Sequence, residues 1–310
     1  MLKKILNKLV RTYNKKMSSN LLNDLIMPLS LPKGYSEKKL FNFVTSVRVT
    51  DAPEEEMRAY GTHDFKRFVY TWGLTKGLNG KCLELGANPY FTTTLLNKFG
   101  DLDLTLANYF GDEISAKKGT QKVVFTDPDS GLKGEKRFNY NHFNIENHRF
   151  PYKDGSFDVV IFGEIIEHLL NDPCKVLREI KRVLKPNGSL ILTTPNVARL
   201  ENICRLIQGE NIYDPYSGYG PYGRHNREYN RHELIQLLEF EGFNVNECFT
   251  SDVHHNNASI FFDPLLIQHH LKFREKDLGQ YIFLRAKNSP SFAEKKPRWL
   301  YRSYDDKELV

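Results

Sequence analysis

Four residues of the chain have the types and spacing to transfer a proton or to bind a metal ion. Glu164, Glu167 and His168 occupy positions i, i+3 and i+4 of the stretch GEIIEHL, so a helix beginning there would place all three on one face. The fourth is His225, in the stretch GRHNREY. An imidazole can act as a general base, and two carboxylates with two imidazoles can bind a divalent cation.

A second stretch predicts a pocket for an adenosyl ligand that has no phosphates. Residues 81–96, KCLELGANPYFTTTLL, have the pattern of a buried strand, a tight turn and a helix. The turn has one glycine, Gly86, whereas a dinucleotide fold uses several to bring backbone N–H groups to a pyrophosphate. S-adenosylmethionine needs only one such position, and the carboxylate of Glu84 would lie near its cationic sulfonium. The pattern therefore argues against a dehydrogenase.

Alternating strands and helices must position these residues. Buried strands are predicted at KCLEL, LDLTLAN, SFDVVIF and SLILTTP, with helices at FTTTLLNKF, DPCKVLREIKRVL and NRHELIQLLEFEGF between or after them. QKVVFTD and EKRFNYNHF flank a turn-rich PDSGLKG, which predicts a β-hairpin inserted before a third core strand. The fold class predicted is α/β, a Rossmann-like, doubly wound and mostly parallel sheet with N-terminal helices.

The chain divides into four predicted regions. Residues 1–30 form a basic amphipathic N-terminal segment and residues 31–78 a helical extension, with one helix predicted near 54–73. Residues 79–287 form the catalytic domain, and residues 288–310 a basic tail outside the core.

The net charge of +6 is concentrated at the N-terminus. Residues 1–16 contain six basic residues and no acid, and the remaining chain has 38 basic and 38 acidic residues. The body of the chain therefore has no basic excess that would favour nucleic acid as a partner. Residues 1–16 could contact an anionic membrane surface peripherally, or pack as a helix on the domain or on a partner. Four scattered cysteines indicate a reducing, cytoplasmic compartment.

Three stretches in order, LELGAN, FPYKDGSFDVVIFGEIIEHL and VLREIKRVLKPNGSLILTTPN, resemble class I S-adenosylmethionine-dependent methyltransferases over about residues 80–250. The resemblance implies S-adenosylmethionine as cofactor and a set of residues that line its site: Glu84, Gly86, Ala87, Asn108, Asn144, Ile145, Gly163 and Glu164. Asn108 departs from the family, which usually has an acid there to accept both ribose hydroxyls. Either the ribose contact is weaker here or the predicted register is shifted.

The catalytic residues predicted are His168, Glu167 and His225, with His168 as general base or as the residue that orients the acceptor. The stretch GEIIEHL, together with the later His225, also resembles small-RNA terminal 2′-O-methyltransferases, which hold a divalent metal. That alternative would use Glu164, Glu167, His168 and His225 as ligands. A base without a metal is the more economical hypothesis.

Residues 213–229, YDPYSGYGPYGRHNREY, predict an acceptor-binding lid with Tyr213, Tyr216, Tyr219 and Tyr222 near Arg224 and Arg227. Aromatic faces with hydroxyl groups suit sugars, nucleosides and phenols. The stretch PYGRHNREYNRHELIQLLEFEGF, residues 221–243, resembles methyltransferases associated with bacterial surface-polysaccharide synthesis, which implies a carbohydrate acceptor. Three functions stay open: O-methylation of a sugar hydroxyl on a glycan or glycolipid, metal-assisted RNA 2′-O-methylation, and a non-catalytic binding module.

Overall fold

The computed structural model describes residues 25–274, 276–301 and 307. In this part of the chain the strands are β1 (Arg48–Val49), β2 (Asn79–Leu85), β3 (Asp101–Asn108), β4 (Lys118–Thr126), β5 (Lys133–His142), β6 (Phe157–Gly163), β7 (Leu184–Pro195), β8 (Phe243–Ser251) and β9 (Tyr281–Asn288). The helices are α1 (Glu37–Val44), α2 (Glu54–His63), α3 (Phe65–Leu74), α4 (Phe91–Phe99), α5 (Pro173–Val183), α6 (Leu200–Ile207), α7 (Arg231–Phe240), α8 (Ala258–Phe261) and α9 (Gln268–Leu271).

All nine strands form one sheet in the order β1-β4-β5-β3-β2-β6-β7-β9-β8. The five central strands β5, β3, β2, β6 and β7 are parallel, and antiparallel strands flank them on both sides. The predicted doubly wound, mostly parallel α/β fold is confirmed. The predicted hairpin exists as β4 and β5, but its second strand is itself the third core strand, because it pairs in parallel with β3.

The sheet is covered by helices on both faces because its central strands are buried and alternate between two apolar cores. Val159 and Ile161 of β6 join a core with helices α1 to α4, whereas Val160 and Phe162 join the opposite core with α5 and α7. This alternation follows from the two-residue period of a strand. Asp172 caps α5 by accepting a 3.0 Å hydrogen bond from the backbone N–H of Cys174.

The N-terminal extension is helical but differs from the prediction in one respect. The single helix predicted near residues 54–73 is two helices, α2 and α3, which meet at Asp64. Asp64 has φ −98° and ψ 11°, outside the helical region, so the chain turns there and α3 can pack beside α4. The short strand β1 pairs with β4, which ties the extension to the hairpin.

Part of the C-terminal segment packs against the core, whereas the sequence predicts a tail outside it. Leu300 and Tyr301 pack against the core that contains α5 and α7, and the Tyr301 hydroxyl is 2.5 Å from Asp172 Oδ1. Lys296 forms an ion pair with the same carboxylate at 2.8 Å. The segment therefore closes over the beginning of α5.

The basic amphipathic segment is predicted at residues 1–30. Its residues 1–24 lie outside the described part of the chain. Leu25 is buried in a third, small apolar core with Leu200 and Leu271. Among the described residues, no helix has the length and apolar character needed to cross a bilayer.

Candidate active site

The turn after β2 brings the backbone close to the carboxyl edge of the parallel strands. Gly86 has φ +65°, which an L-residue adopts only at a cost, and its N–H donates a 2.8 Å hydrogen bond to the Ala107 carbonyl. A Cβ atom at Gly86 would lie 2.8 Å from Ile165 Cδ1. Glycine is therefore required by both the conformation and the limited space, as expected of a ligand cradle.

Two adjoining cavities open at this edge of the sheet. Their volumes are about 190 Å³ and about 390 Å³, and Gly86, Tyr109, Glu164 and Tyr222 line both. All eight residues predicted to bind the cofactor line one cavity or the other. The smaller cavity has Asn108, Asn144 and Ile145, the larger one has Glu84, Ala87 and Gly163, and Gly86 and Glu164 are common to both.

Asn108 is the last residue of β3, as the predicted register requires, but its side chain is already engaged by the neighbouring turn. Its Oδ1 accepts a 2.8 Å hydrogen bond from the Asn88 N–H, and its amide donates a 2.9 Å hydrogen bond to the Tyr90 hydroxyl. Tyr90 in turn contacts Gln121 Oε1 at 2.8 Å. Asn108 therefore fixes the shape of the turn at Gly86, and one lone pair of its oxygen and one N–H of its amide remain for a ribose hydroxyl.

Glu84 lines the larger cavity as a buried acid that is not charged at neutral pH. Burial raises its pKa to about 8, although Thr93 donates a 2.7 Å hydrogen bond to its Oε2. Glu84 lines the larger cavity as predicted, and burial favours its protonated form there in the absence of a cation.

Glu164 is a second, largely buried acid, which lines both cavities and is paired with an arginine. It adopts φ +55° directly after β6, and one of its oxygens lies 3.5 Å from the Arg67 guanidinium. The other oxygen, Oε1, is buried and has no hydrogen-bond partner among the described residues. Burial raises the pKa of Glu164 and the Arg67 charge opposes that rise. A buried carboxylate oxygen of this kind, facing a cavity, fits the ammonium group or the sulfonium of S-adenosylmethionine.

Arg67 is a site residue that the sequence analysis missed. It lies on α3, is 6% exposed, and forms a 3.1 Å hydrogen bond with Asp64 as well as the contact with Glu164. Because it lines the larger cavity, its guanidinium can bind the carboxylate of a methionyl group. A buried arginine among the aromatic residues of FKRFVYTW was the available signal. Tyr109, which lines both cavities, was also missed although it directly follows Asn108.

The predicted helix that would align Glu164, Glu167 and His168 does not form. Instead a single 3-10 turn spans Ile166–His168, and Glu164 lies outside it. Glu167 points inward and is fully buried, with Oε2 accepting a 2.9 Å hydrogen bond from Thr194. Burial and the nearby Glu164 raise the pKa of Glu167 to about 8. Glu167 lines neither cavity, and its predicted part in catalysis stays a prediction.

His168 and His225 form a pair at the rim of the smaller cavity, with ring centroids 5.0 Å apart. His168 lines the cavity and places Nδ1 2.9 Å from the Arg224 carbonyl. Because a carbonyl only accepts, Nδ1 carries the proton and Nε2 keeps its lone pair. The Nδ1 atom of His225 lies 2.8 Å from Glu228 Oε1, so this imidazole is oriented in the same way.

The pKa values of the two imidazoles are shifted in opposite directions. Burial, reinforced by the neighbouring His225, lowers the pKa of His168. Burial also acts to lower the pKa of His225, but Glu228, Glu167 and Asp214 outweigh it and raise the value. Near neutral pH His168 is the unprotonated partner, which is the form that a general base requires.

Three of the four residues predicted to bind a divalent metal lie close together. Ligand atoms of Glu167, His168 and His225 lie within 4.8 Å of one another, and Glu167 Oε1 is buried without a hydrogen-bond partner in the part of the chain that the structure describes. One carboxylate and two imidazoles are a donor set that fits such an ion. Glu164 is not in this cluster, because it faces Arg67 instead.

Of the four tyrosines in the predicted lid, one lines the cavities and three do not. Tyr222 lines both cavities, and its hydroxyl accepts a 3.1 Å hydrogen bond from the Asn144 amide. Tyr213, Tyr216 and Tyr219 are at least 82% exposed and line neither cavity. Asn226 holds the end of the loop by donating a 2.9 Å hydrogen bond to the His168 carbonyl.

The site has the geometry of an adenosyl-binding pocket, and comparison with known proteins agrees with it. Residues 57–247 match the family model described as a methyltransferase domain. A protein of Mycolicibacterium smegmatis named "Probable S-adenosylmethionine-dependent methyltransferase" is 31% identical over 130 residues, which cover 41% of this chain and 45% of that protein. A mitochondrial ubiquinone biosynthesis O-methyltransferase of Dictyostelium discoideum is 29% identical over 131 residues, which cover 42% of this chain and 37% of that protein.

The chain thus spans less than half the length of these two curated relatives. Among solved structures, a SAM-dependent methyltransferase from Archaeoglobus fulgidus has 17% sequence identity and a TM-score of 0.44, over 76% of this chain and 95% of that one. The family model covers more than half of the 310 residues and includes the turn at Gly86 and the 3-10 turn at His168. The chain therefore belongs to the class I S-adenosylmethionine-dependent methyltransferases.

Proposed function

We propose that the protein methylates a hydroxyl oxygen of its acceptor and that His168 removes the hydroxyl proton. One observation carries the proposal: the His168 ring lines the smaller cavity with Nδ1 bound to the Arg224 carbonyl, so that Nε2, 3.8 Å from Glu167 Oε1, keeps the lone pair that accepts a proton. The names of relatives from Dictyostelium, rat and cattle, which are O-methyltransferases of ubiquinone biosynthesis, also support a hydroxyl acceptor.

Different residues around the cavities would bind the two ends of the cofactor. Arg67 and Glu164 offer a cation and an anion to the zwitterionic methionyl end, and Tyr109, Asn144 and Ile145 surround the space for the adenine. S-adenosylmethionine, when bound, supplies an electrophilic methyl group on a sulfonium. The protein contributes mainly by aligning the acceptor oxygen with that group and by excluding water.

Proton removal follows from the hydrogen bonds of the histidine pair. Methyl transfer would turn the bound cofactor into a neutral thioether and would leave the acceptor oxygen with a proton to lose. The hydroxyl proton goes to Nε2 of His168, whose positive charge is stabilised by the Arg224 carbonyl at Nδ1. His225, held by Glu228 at 2.8 Å, orients the pair, and the raised pKa of its imidazole favours the protonated form.

The acceptor proposed is a sugar hydroxyl of a glycan or glycolipid. Tyr213, Tyr216 and Tyr219 expose flat aromatic faces on the loop that leads into the cavity at Tyr222. Arg224 lies over the Tyr216 ring at 4.5 Å, which holds one of these faces in place. Such faces stack on the apolar side of a sugar ring while hydroxyl groups nearby accept its hydrogen bonds.

The substitution His168→Asn tests the proposed base. Asparagine retains a donor near the position of Nδ1 for the Arg224 carbonyl, but it has no basic nitrogen in place of Nε2. We expect kcat to fall about 100-fold or more, with little change in the cofactor Kd measured by calorimetry. The assay is transfer of labelled methyl to panels of sugar and phenol acceptors, and His232→Asn, an exposed histidine on α7, is the matched control.

Two results would count against the proposal. A kcat of His168→Asn equal to that of the unmodified protein at every pH would exclude the base, and transfer to phenols alone would exclude the sugar. Loss of activity in chelator, with bound metal that disappears in Glu167→Gln and His225→Asn, would instead assign the cluster to a metal ion.

A further inference from the structure

The inserted hairpin contacts the turn at Gly86 through the side chain of Gln121, on β4. Gln121 pairs with Phe138 of β5, and the Phe138 ring stacks on the Tyr90 ring with centroids 5.2 Å apart. Tyr90 directly precedes α4 and is fully buried. Gln121 therefore lies beside the Tyr90 hydroxyl, which also contacts Asn108.

A continuous hydrogen-bond network runs from the N-terminal extension to the cofactor site. Asp51, which follows β1, accepts a 3.2 Å hydrogen bond from Gln121 Nε2. Gln121 Oε1 accepts a 2.8 Å hydrogen bond from the Tyr90 hydroxyl and a 3.1 Å hydrogen bond from the Asn88 side-chain amide. The Tyr90 oxygen in turn accepts a 2.9 Å hydrogen bond from Asn108 Nδ2. The network thus ends at Asn108, which lines the smaller cavity.

The direction of each hydrogen bond in this network is fixed by its two ends. At one end the backbone N–H of Asn88 can only donate, so Oδ1 of Asn108 faces it and the Nδ2 donor faces Tyr90. At the other end the Asp51 carboxylate only accepts, so Gln121 directs Nε2 towards it and Oε1 towards Tyr90. Burial raises the pKa of the Tyr90 hydroxyl, which therefore keeps its single proton and donates it to Gln121.

We propose that Gln121 is a positioning residue for cofactor binding: by accepting the Tyr90 proton, it fixes the Asn108 amide and requires a hydrogen-bond donor at position 108. A carboxylate there would place an oxygen where Asn108 Nδ2 now lies, 2.9 Å from the Tyr90 oxygen, with no proton between the two. This requirement accounts for an asparagine at a position where the family usually has an acid. It concerns the binding of S-adenosylmethionine alone and does not depend on the acceptor.

The network also holds the cofactor turn itself, so a change at Gln121 reaches the cavities. Asn88 lies in the turn that contains Gly86, and it donates to Gln121 through its side chain and to Asn108 through its backbone N–H. A repulsion between position 108 and the Tyr90 oxygen would be relieved by a movement of this turn. The cofactor would then have to bind against that movement, which raises its Kd.

A double-mutant cycle tests the proposal, with the Kd for S-adenosylmethionine measured by calorimetry on the full chain. Asn108→Asp alone should raise the Kd about tenfold, because the new carboxylate faces the Tyr90 oxygen. In the Gln121→Leu background the Tyr90 proton is free to donate to that carboxylate. There Asn108→Asp should instead lower the Kd, by about threefold or more.

Thr120→Ala is the matched control on β4. The Thr120 hydroxyl donates a 2.6 Å hydrogen bond to Asn139 Oδ1 and takes no part in the network. In the Thr120→Ala background, Asn108→Asp should therefore raise the Kd by the same factor as in the unmodified protein.

Thermal unfolding of each variant verifies that the fold is intact, and Gln121→Ala takes the place of Gln121→Leu if leucine disturbs the hairpin. An unchanged or lower Kd in Asn108→Asp alone would overturn the proposal, because position 108 would then not require a donor. A higher Kd in both backgrounds would also overturn it, and would limit Gln121 to holding the hairpin against the domain.

Discussion

The two sides of the site are built in different ways. The cofactor side consists of the ends of β2, β3 and β6, whose residues are mostly buried and held by the hydrogen bonds of the sheet. The acceptor side consists largely of the connection from residue 196 to residue 230, in which Tyr213, Tyr216 and Tyr219 are exposed. The difference indicates that the fold fixes the shape of the cofactor pocket, whereas under the proposed function an exposed loop carried by that fold would select the acceptor.

Substitution of the turn glycine should give the largest effect and tests whether the cofactor side is rigid. Gly86→Ala places a side chain at φ +65° and a Cβ 2.8 Å from Ile165 Cδ1, so the backbone is strained and either the turn or the Ile165 side chain must shift. We expect the Kd for S-adenosylmethionine, measured by calorimetry, to rise about tenfold or more.

Gly155→Ala is the matched control for this substitution. Gly155 has φ +61°, and the described residues place no heavy atom within 4 Å of a Cβ added there. The backbone strain is therefore similar, but the contact with the site is missing. An unchanged cofactor Kd in Gly86→Ala would remove the distinction between a rigid cofactor side and an adaptable acceptor side.

A buried acid on the cofactor side should give an intermediate effect, seen in stability as a function of pH. Burial raises the pKa of Glu84 from its ordinary value of 4.5 to about 8, so the folded protein holds this proton more tightly than the unfolded chain. The resulting stabilisation is complete below the unfolded pKa and is lost as the pH rises through the folded pKa. Glu84→Gln should therefore flatten the decrease in unfolding free energy across this range.

Urea unfolding at several pH values measures this change. Glu239→Gln replaces an exposed carboxyl of α7 and is expected to leave the pH dependence as it is in the unmodified protein. An equally steep decrease in Glu84→Gln would show that the carboxyl is already ionised in the folded state and that the cofactor side is more hydrated than its burial indicates.

The smallest effect is expected on the acceptor side. Tyr219 is 94% exposed, so Tyr219→Ala removes one aromatic face and disturbs little of the fold. We expect the acceptor KM to rise about three- to tenfold with no change in the cofactor Kd, and steady-state kinetics with calorimetry separates the two. Phe292→Ala, at an exposed residue of the C-terminal segment, should change neither quantity. A weaker cofactor Kd in Tyr219→Ala would mean that the two sides are coupled.

Much of the cofactor side could be predicted from the sequence because strand ends follow from periodicity. The residues 84 to 87 and 163 to 164 stand at the ends of apolar runs, and parallel strands bring such ends to one edge. The alignment of Glu164, Glu167 and His168 was not predictable in this way. A short polar run after a strand is compatible with both a helix and a 3-10 turn, and the choice depends on contacts with residues far along the chain, such as Asn226.

The sequence by itself determined the succession of the central strands with helices α4, α5 and α7, the turn at Gly86 and the chemistry of the residues around it, since these depend on local pattern and residue type. Only the tertiary structure decided that Arg67 reaches Glu164, that Asn108 is engaged by its own turn, and that Nδ1 of His168 is held by the Arg224 carbonyl. Those properties arise from burial and from contacts between distant segments. The free energies of burial and of ion pairing depend on surroundings that no local stretch of sequence contains.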